Sequence, residues 1–155
     1  MNDHTHNQAK RHLLSVVIPV YNEAENIQNT YNKVTEFFKQ YSSVDYELIF
    51  TDNCSEDQSF EILKSIHESD PKVRVFRFSR NIGYQLSILH GYKMCRGDMA
   101  VQLDCDLQDP PELIPQMVTK WQEGYKVVYG IRKRRKERFY MEWSRKLFYR
   151  ALNKM

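Results

Sequence analysis

Apolar positions along the chain switch between two periods, and the switches mark out its elements. Residues 13–19 (LLSVVIP) form a short β-branched apolar run closed by Pro, the pattern of a strand buried on both faces. Asn22 then stands as a helix cap with Glu25 three residues on, close to a capping box. Ile27, Tyr31, Val34, Phe38 and Tyr41 follow at helical spacing. Residues 46–51 (YELIFT) read as a second strand, and Ser55 with Gln58 offers a capping box ahead of the stripe Phe60, Leu63 and Ile66. Residues 73–78 (VRVFRF) alternate as a third strand. Residues 84–95 read as a helix with Leu86, Leu89 and Met94 facing inward, and residues 99–103 as a fourth strand. Pro110 and Pro111 open a further helix, since a first turn tolerates Pro, and Ile114, Met117, Val118 and Trp121 supply its inner face. Residues 127–130 complete the pattern as a fifth strand.

Strict alternation of strands and helices predicts an α/β, Rossmann-like fold: a mainly parallel sheet with helices on both faces. Ligands of such sheets bind beyond the carboxyl ends of the strands. Chemistry is therefore expected at residues 19–23, 52–57, 79–84, 104–109 and 130–132.

The length of 155 residues suits one domain, and 41% hydrophobic with 28% charged residues is the balance of a globular chain. No apolar run approaches the roughly 18–20 residues of a membrane-spanning helix. Residues 1–12 form a polar tail without the apolar stretch of a signal peptide, and its His4, His6 and His12 match no standard metal spacing. Cys54, Cys95 and Cys105 are odd in number and form no C-x-x-C pair, which points to a reducing, cytosol-facing setting.

Charge changes the picture at the C-terminal end. Residues 1–131 hold 13 Lys and Arg against 18 Asp and Glu; residues 132–155 hold 10 against 2. A basic segment on an acidic body suggests a polyanionic partner. That segment also carries Phe139, Tyr140, Trp143, Leu147, Phe148, Ala151 and Leu152 at spacings of three and four. It reads as a basic amphipathic helix suited to a membrane surface, with packing on its own domain as the alternative. No nucleic-acid-binding module motif accompanies it, so nucleic acid is not expected as a partner.

Asp104-Cys105-Asp106 follows the fourth strand directly. Two carboxylates two residues apart at a strand end can reach one hard cation, Mg²⁺ or Mn²⁺, and leave positions open for phosphate oxygens. Gln108 adds an oxygen, while Asp109, before Pro110, is read as a helix cap. Asp52 ends the second strand, where it either accepts a hydrogen bond from a nucleoside or serves the turn Asp-Asn-x-Ser-x-Asp. Pro19, Tyr21 and Glu23 end the first strand; Tyr21 can stack on a base and Glu23 can hydrogen-bond the nucleotide, but taken alone a strand stop followed by a helix cap explains them better. Arg132 is either a bidentate grip on a diphosphate or the first residue of the basic run. Neither G-x-G-x-x-G nor G-x-x-x-x-G-K-[ST] occurs, which excludes a P-loop and argues against the usual dinucleotide fingerprint.

Together the stretches SVVIPVYNEAENI (15–27), TDNCSED (51–57), SRNIGYQ (79–85), RGDMAVQLDCDLQDPPELI (96–114) and GYKVVYGIRKRR (124–135) resemble a family-2 glycosyltransferase of the GT-A fold. The likeness is to its polyprenyl-phosphate branch, with dolichol-phosphate mannose synthase and the bacterial undecaprenyl-phosphate glucosyltransferases. The order and spacing of five motifs over residues 13–155 make the resemblance specific. It implies that residues 13–131 bind a UDP- or GDP-sugar and that a polyprenyl phosphate receives the sugar with inversion. It implies that Pro19, Tyr21, Glu23 and Asp52 hold the nucleoside, that Asp104 faces the ribose or sugar, and that Cys105 belongs to the same nucleotide-sugar site. Asp106 and Gln108 would bind Mg²⁺ or Mn²⁺, and Arg132 would balance the diphosphate; Asp104, Asp106 and Arg132 are the implied catalytic set. Asn53 departs from the family, which often has a second Asp there. The family continues with an acceptor segment and often transmembrane helices, so the chain is expected to be C-terminally truncated. It is expected at the cytoplasmic face of a membrane, with a homo-oligomer as a further possibility. Three alternatives are a non-catalytic nucleotide- or lipid-binding remnant, a nucleotidyltransferase, for which the phosphate loop is missing, and a nucleic-acid-binding domain.

Overall fold

The computed structural model describes residues 11–131. The expected basic helix at 132–155, Arg132 with it, and most of the polar tail lie outside the described residues. Within them the order is β1 (Leu13–Val20), α1 (Ala24–Gln40), β2 (Asp45–Asp52), α2 (Ser59–Ser69), β3 (Val73–Arg77), α3 (Tyr84–Lys93), β4 (Met99–Gln102), a 3₁₀ turn (Pro111–Leu113) and α4 (Ile114–Gln122). The strands form one sheet in the order β3-β2-β1-β4, parallel at every pairing. The predicted parallel α/β architecture is thus observed.

Strand periodicity explains how the sheet is buried twice. Leu14, Val16, Ile18 and Val20 of β1 join Leu48 and Phe50 of β2 in a core with Ile27, Val34 and Phe38 of α1, Leu63 and Ile66 of α2, and Ile114 and Val118 of α4. The intervening positions point the other way, as successive strand side chains must. There Val17 and Thr51 lie against α3. Continuous apolar runs, rather than alternating ones, follow from being covered on both sides.

Helix α3 does not present the face expected of it. Leu86, Leu89 and Met94 are 49%, 46% and 39% exposed, while Ser87 and Gly91 are buried. The reason is close approach. A Cβ at Gly91 would lie 2.4 Å from Val17 Cγ1, so only the small residues, four apart, can sit on the sheet there. The Ser87 hydroxyl donates to Thr51 Oγ1 at 2.9 Å.

The predicted caps also differ. The N-cap of α1 is Glu23, that of α2 is Gln58 and that of the 3₁₀ turn is Pro110, none with a side-chain cap, so Asn22, Ser55 and Asp109 are not the caps expected of them. The loop before α2 serves α1 instead. Glu23 N donates to Ser59 Oγ at 2.8 Å and Ala24 N to Asp57 Oδ2 at 3.2 Å. Residues 127–130 form no strand, since no described strand pairs with them; Val127 and Tyr129 are 79% and 75% exposed. Without a ladder partner this exposed run leaves its backbone hydrogen bonds to water.

Candidate functional site

The carboxyl ends of the strands surround a cavity of about 450 Å³, within the range of small-ligand sites. Pro19, Tyr21 and Glu23 line it from the β1 end, and Asp104, Cys105 and Asp106 from the β4 end. The structure therefore brings together six residues picked out in the sequence. Two others stand apart. Asp52 is fully buried and does not line the cavity, and Gln108 reaches the site through Asp106.

The β1 wall is held in shape by the neighbouring loop. Asn22 takes φ 55° and Cys54 φ 62°, left-handed conformations that cost less at Asn than at most residues. Asn22 N donates to Ser55 Oγ at 3.0 Å, and Glu56 N donates back to Asn22 Oδ1 at 2.9 Å. These reciprocal bonds support Tyr21, which is 43% exposed, and Glu23, whose Oε2 accepts from Asn26 Nδ2 at 2.6 Å.

Asp52 organises the same loop from inside. Its Oδ1 accepts from Ser55 N at 3.1 Å, and its Oδ2 lies 3.3 Å from Arg77 Nε without a hydrogen-bonding alignment. Arg77 donates to the Ser55 carbonyl at 3.1 Å and lies over the Phe60 ring, 4.4 Å from its centre. The turn-forming alternative for Asp52 is thus what the geometry displays, and the adjacent Asn53 is the residue that lines the cavity.

Asn53 Nδ2 donates to Asn81 Oδ1 and its own Oδ1 accepts from Ile82 N, both at 2.9 Å. Gly83 N donates to Asn81 Oδ1 at 2.9 Å, and Gly83 itself takes φ 84°, where other residues are strained. This amide relay fixes the start of α3, where Gly83, Tyr84 and Ser87 line the cavity. Sequence reasoning reached the 79–84 loop by topology but singled out none of these side chains. The signal available was a polar Asn on each loop and a Gly directly before the helix.

At the β4 end Asp104 Oδ1 accepts from Gln102 Nε2 at 2.6 Å and from the Tyr84 hydroxyl. Burial first, then the hydrogen bond and charge of Asp104, push the Tyr84 hydroxyl up to about 12. Cys105 is buried, and burial with the Glu23 charge pushes its thiol up to about 12, so it stays neutral. The next turn is tight. Leu107 takes φ 54°, Gln108 N donates to Asp106 Oδ1 at 3.1 Å, and Gln108 Nε2 to Asp106 Oδ2 at 2.7 Å.

Three carboxylates, Glu23, Asp104 and Asp106, line the cavity, and no Lys or Arg does so among the described residues. An anionic ligand needs a cation brought to such a wall. No group of three or more His, Cys, Asp and Glu side chains converges for a metal among the described residues. Asp106 and Gln108 nevertheless fit a divalent cation. Asp106 is an exposed carboxylate in the cavity wall, and Mg²⁺ characteristically takes one or two carboxylates plus phosphate and water. The Gln108 amide beside it turns its N–H₂ to that carboxylate, so its oxygen would join a cation once the amide turns over.

Comparison with known proteins agrees with this architecture. Residues 15–155 match the family model described as Glycosyl transferase family 2. The chain is 45% identical over 147 residues to the uncharacterized glycosyltransferase YkcC of Bacillus subtilis (strain 168), covering 94% of this chain and 45% of that protein. It is 36% identical over 144 residues to the undecaprenyl-phosphate 4-deoxy-4-formamido-L-arabinose transferase of Pseudomonas fluorescens (strain SBW25), covering 92% of this chain and 42% of that protein. It thus spans less than half the length of these curated relatives. In fold it is similar to the mannosyltransferase PcManGT of Pyrobaculum calidifontis, solved in complex with GDP-Man and Mn²⁺. The TM-score is 0.60 at 20% identity, over 73% of this chain and 33% of that one. A parallel sheet with its cavity at the carboxyl ends, and a family match from the first strand onward, lead to one conclusion: this chain belongs to glycosyl transferase family 2.

Proposed function

We propose that the cavity binds a nucleotide sugar, UDP- or GDP-linked, and that the protein transfers the sugar to a polyprenyl phosphate with inversion. The observation that carries this reading is the carboxylate-lined cavity at the strand ends, with Asp106 in its wall and Gln108 hydrogen-bonded to it. The acceptor comes from relatives named as undecaprenyl-phosphate sugar transferases. Such a relative and a structural neighbour solved in complex with GDP-Man and Mn²⁺ make the combination coherent.

In this reading Pro19, Tyr21 and Glu23 hold the nucleoside, with Asp52 keeping their supporting loop in shape. Asp104 receives hydroxyls of the ribose or sugar. Asp106 and Gln108 would hold Mg²⁺ or Mn²⁺, which when bound neutralises charge on the diphosphate. Arg132, outside the described residues, would add a guanidinium to the same end. An acceptor phosphate oxygen forms the new bond to the anomeric carbon as the bond to the diphosphate breaks, and that electron pair leaves with the nucleoside diphosphate. A phosphate monoester, with its second pKa near 6, is mostly ionised at neutral pH, so the acceptor needs less help from a general base than a sugar hydroxyl would. Positioning and charge neutralisation carry the step.

Calorimetric titration of UDP-glucose and GDP-mannose, with and without Mn²⁺, tests the donor site. The expected result is metal-dependent binding of one donor to the chain and its loss in Asp106→Ala. A folded chain that binds neither donor nor the corresponding nucleoside diphosphate overturns the reading and favours a non-catalytic remnant.

A further inference from the structure

We infer that Tyr84 is a positioning residue of the donor site: its hydroxyl, together with the Gln102 amide, fixes Asp104 so that the second carboxylate oxygen meets the hydroxyls of the bound donor. The inference rests on the nucleotide-sugar reading of the cavity and extends it to a residue the sequence did not single out.

Three observations carry it. First, Tyr84 and Asp104 come from different elements 20 residues apart, yet the phenol donates to Asp104 Oδ1. Gln102 Nε2 donates to the same oxygen at 2.6 Å and to the Tyr84 oxygen at 3.0 Å, closing a three-membered network. Both donors take Oδ1, and Oδ2 receives no side-chain hydrogen bond among the described residues. Second, Tyr84 stands on a rigid base. It is the first residue of α3, directly after Gly83 at φ 84°, and the Asn53 and Asn81 amides hold the two residues before it. The helix behind is seated on the sheet at Ser87 and Gly91. Third, Tyr84 and Asp104 both line the cavity, so the bridge forms part of its wall.

The physical need is clear from the charges. Asp104 sits two residues from Asp106 and is only partly buried, so a lone carboxylate there is free to turn toward water. Two fixed donors on one oxygen remove that freedom before the ligand arrives, which is the advantage of a preorganised site. The phenol suits the task because, with its proton held to about pH 12, it remains a donor at every working pH.

The test is a double-mutant cycle read by donor affinity. Wild type, Tyr84→Phe, Asp104→Asn and the double variant are titrated calorimetrically with UDP-glucose and GDP-mannose in the presence of Mn²⁺. Tyr84→Phe keeps the ring and removes only the hydroxyl, and its melting temperature reports whether the fold is intact. The expected result is a loss of about tenfold in affinity for Tyr84→Phe, as for a hydrogen bond to a charged group. If Tyr84 acts through Asp104, the double variant binds as Asp104→Asn alone does. Unchanged affinity in Tyr84→Phe, or losses that multiply in the double variant, overturns the positioning role while leaving the donor site standing. Absence of donor binding by the wild type instead overturns the functional reading itself, and the inference with it.

Discussion

At the scale of single residues, the pair Asp52–Arg77 is the most informative contact. The Asp52 side chain has no exposure, whereas that of Arg77 is 37% exposed. Removing either partner breaks the same ion pair, but the residues left behind differ. Arg77→Ala strands a fully buried carboxylate and should cost about 2–4 kcal/mol, somewhat less than a pair buried at both ends. Asp52→Ala leaves a guanidinium that water can reach, and should cost about 1–2 kcal/mol, mostly the lost bond to Ser55 N. Urea unfolding of the two variants gives the order, and a larger loss for Asp52→Ala would refute the argument. A second check sits in the Arg77→Ala background. There Asp52→Asn should restore part of the stability, because it removes the stranded charge and keeps the shape. This residue also shows why its role was only half legible. The sequence placed Asp52 at a strand end, where it is, but nothing in one sequence tells a carboxylate facing a ligand from one turned inward to an Arg of the next strand. Arg77 carries the answer, and the alternation of residues 73–78 does not say which way its guanidinium turns.

At the scale of elements, legibility followed side-chain size. The strands β1 and β2 were readable because two-sided burial demands uninterrupted β-branched and apolar residues. Helix α1 was readable because Ile27, Val34 and Phe38 meet the core at a helical period. Helix α3 was misread because its contact is made by the small residues Ser87 and Gly91, which a hydrophobic stripe does not reveal. The same fact makes a prediction. Gly91→Ala puts a methyl 2.4 Å from Val17 Cγ1 and 3.3 Å from Thr51 Cγ2, in a stretch where the larger Leu86 and Leu89 are tolerated by being outside. Overpacking of this kind costs about 1–3 kcal/mol, despite the better helix propensity of Ala. A stabilised Gly91→Ala variant in thermal melts would show that α3 can lift off the sheet freely.

The opposite end of the sheet is tied by Glu47. It accepts from the Ser15 hydroxyl at 2.6 Å, from Arg96 N at 2.8 Å and from Arg74 at 3.1 Å, linking β1, β2, β3 and the approach to β4. Burial raises its carboxyl, but those three donors outweigh it and hold it below the ordinary 4.5. A lowered folded-state value means the stabilisation is fully present above about pH 4.5 and is lost as pH falls through the folded value. Glu47→Gln should therefore cost about 1–2 kcal/mol at pH 7. The gap between wild type and variant should close as denaturation is repeated at progressively lower pH below that point. A gap that is constant with pH would show that shape, not charge, is what Glu47 contributes.

At the scale of the whole molecule, charge and apolar exposure converge on one end of the chain. The residues up to 131 are acidic in balance, and the 24 that follow hold 10 Lys and Arg against 2 Asp and Glu. The described chain runs toward them through Tyr125, Val127, Tyr129 and Ile131, exposed by 56%, 79%, 75% and 74%. No helix among the described residues is long and apolar enough to cross a membrane. We propose attachment to a lipid surface through residues 132–155, which would bring a lipid phosphate toward the cavity of this domain. Basic residues near an anionic leaflet contribute about 1 kcal/mol each, and the attraction is screened within a Debye length of about 10 Å at 0.1 M salt. Flotation with vesicles should then show binding to anionic lipid that weakens steeply with added salt, and weaker binding to neutral lipid. The acidic body opposes the same surface, so removing residues 132–155 should abolish flotation rather than merely reduce it. Equal binding to neutral and anionic vesicles would mean that aromatic side chains alone hold the protein there, and no binding to either would assign the segment to packing on its own domain.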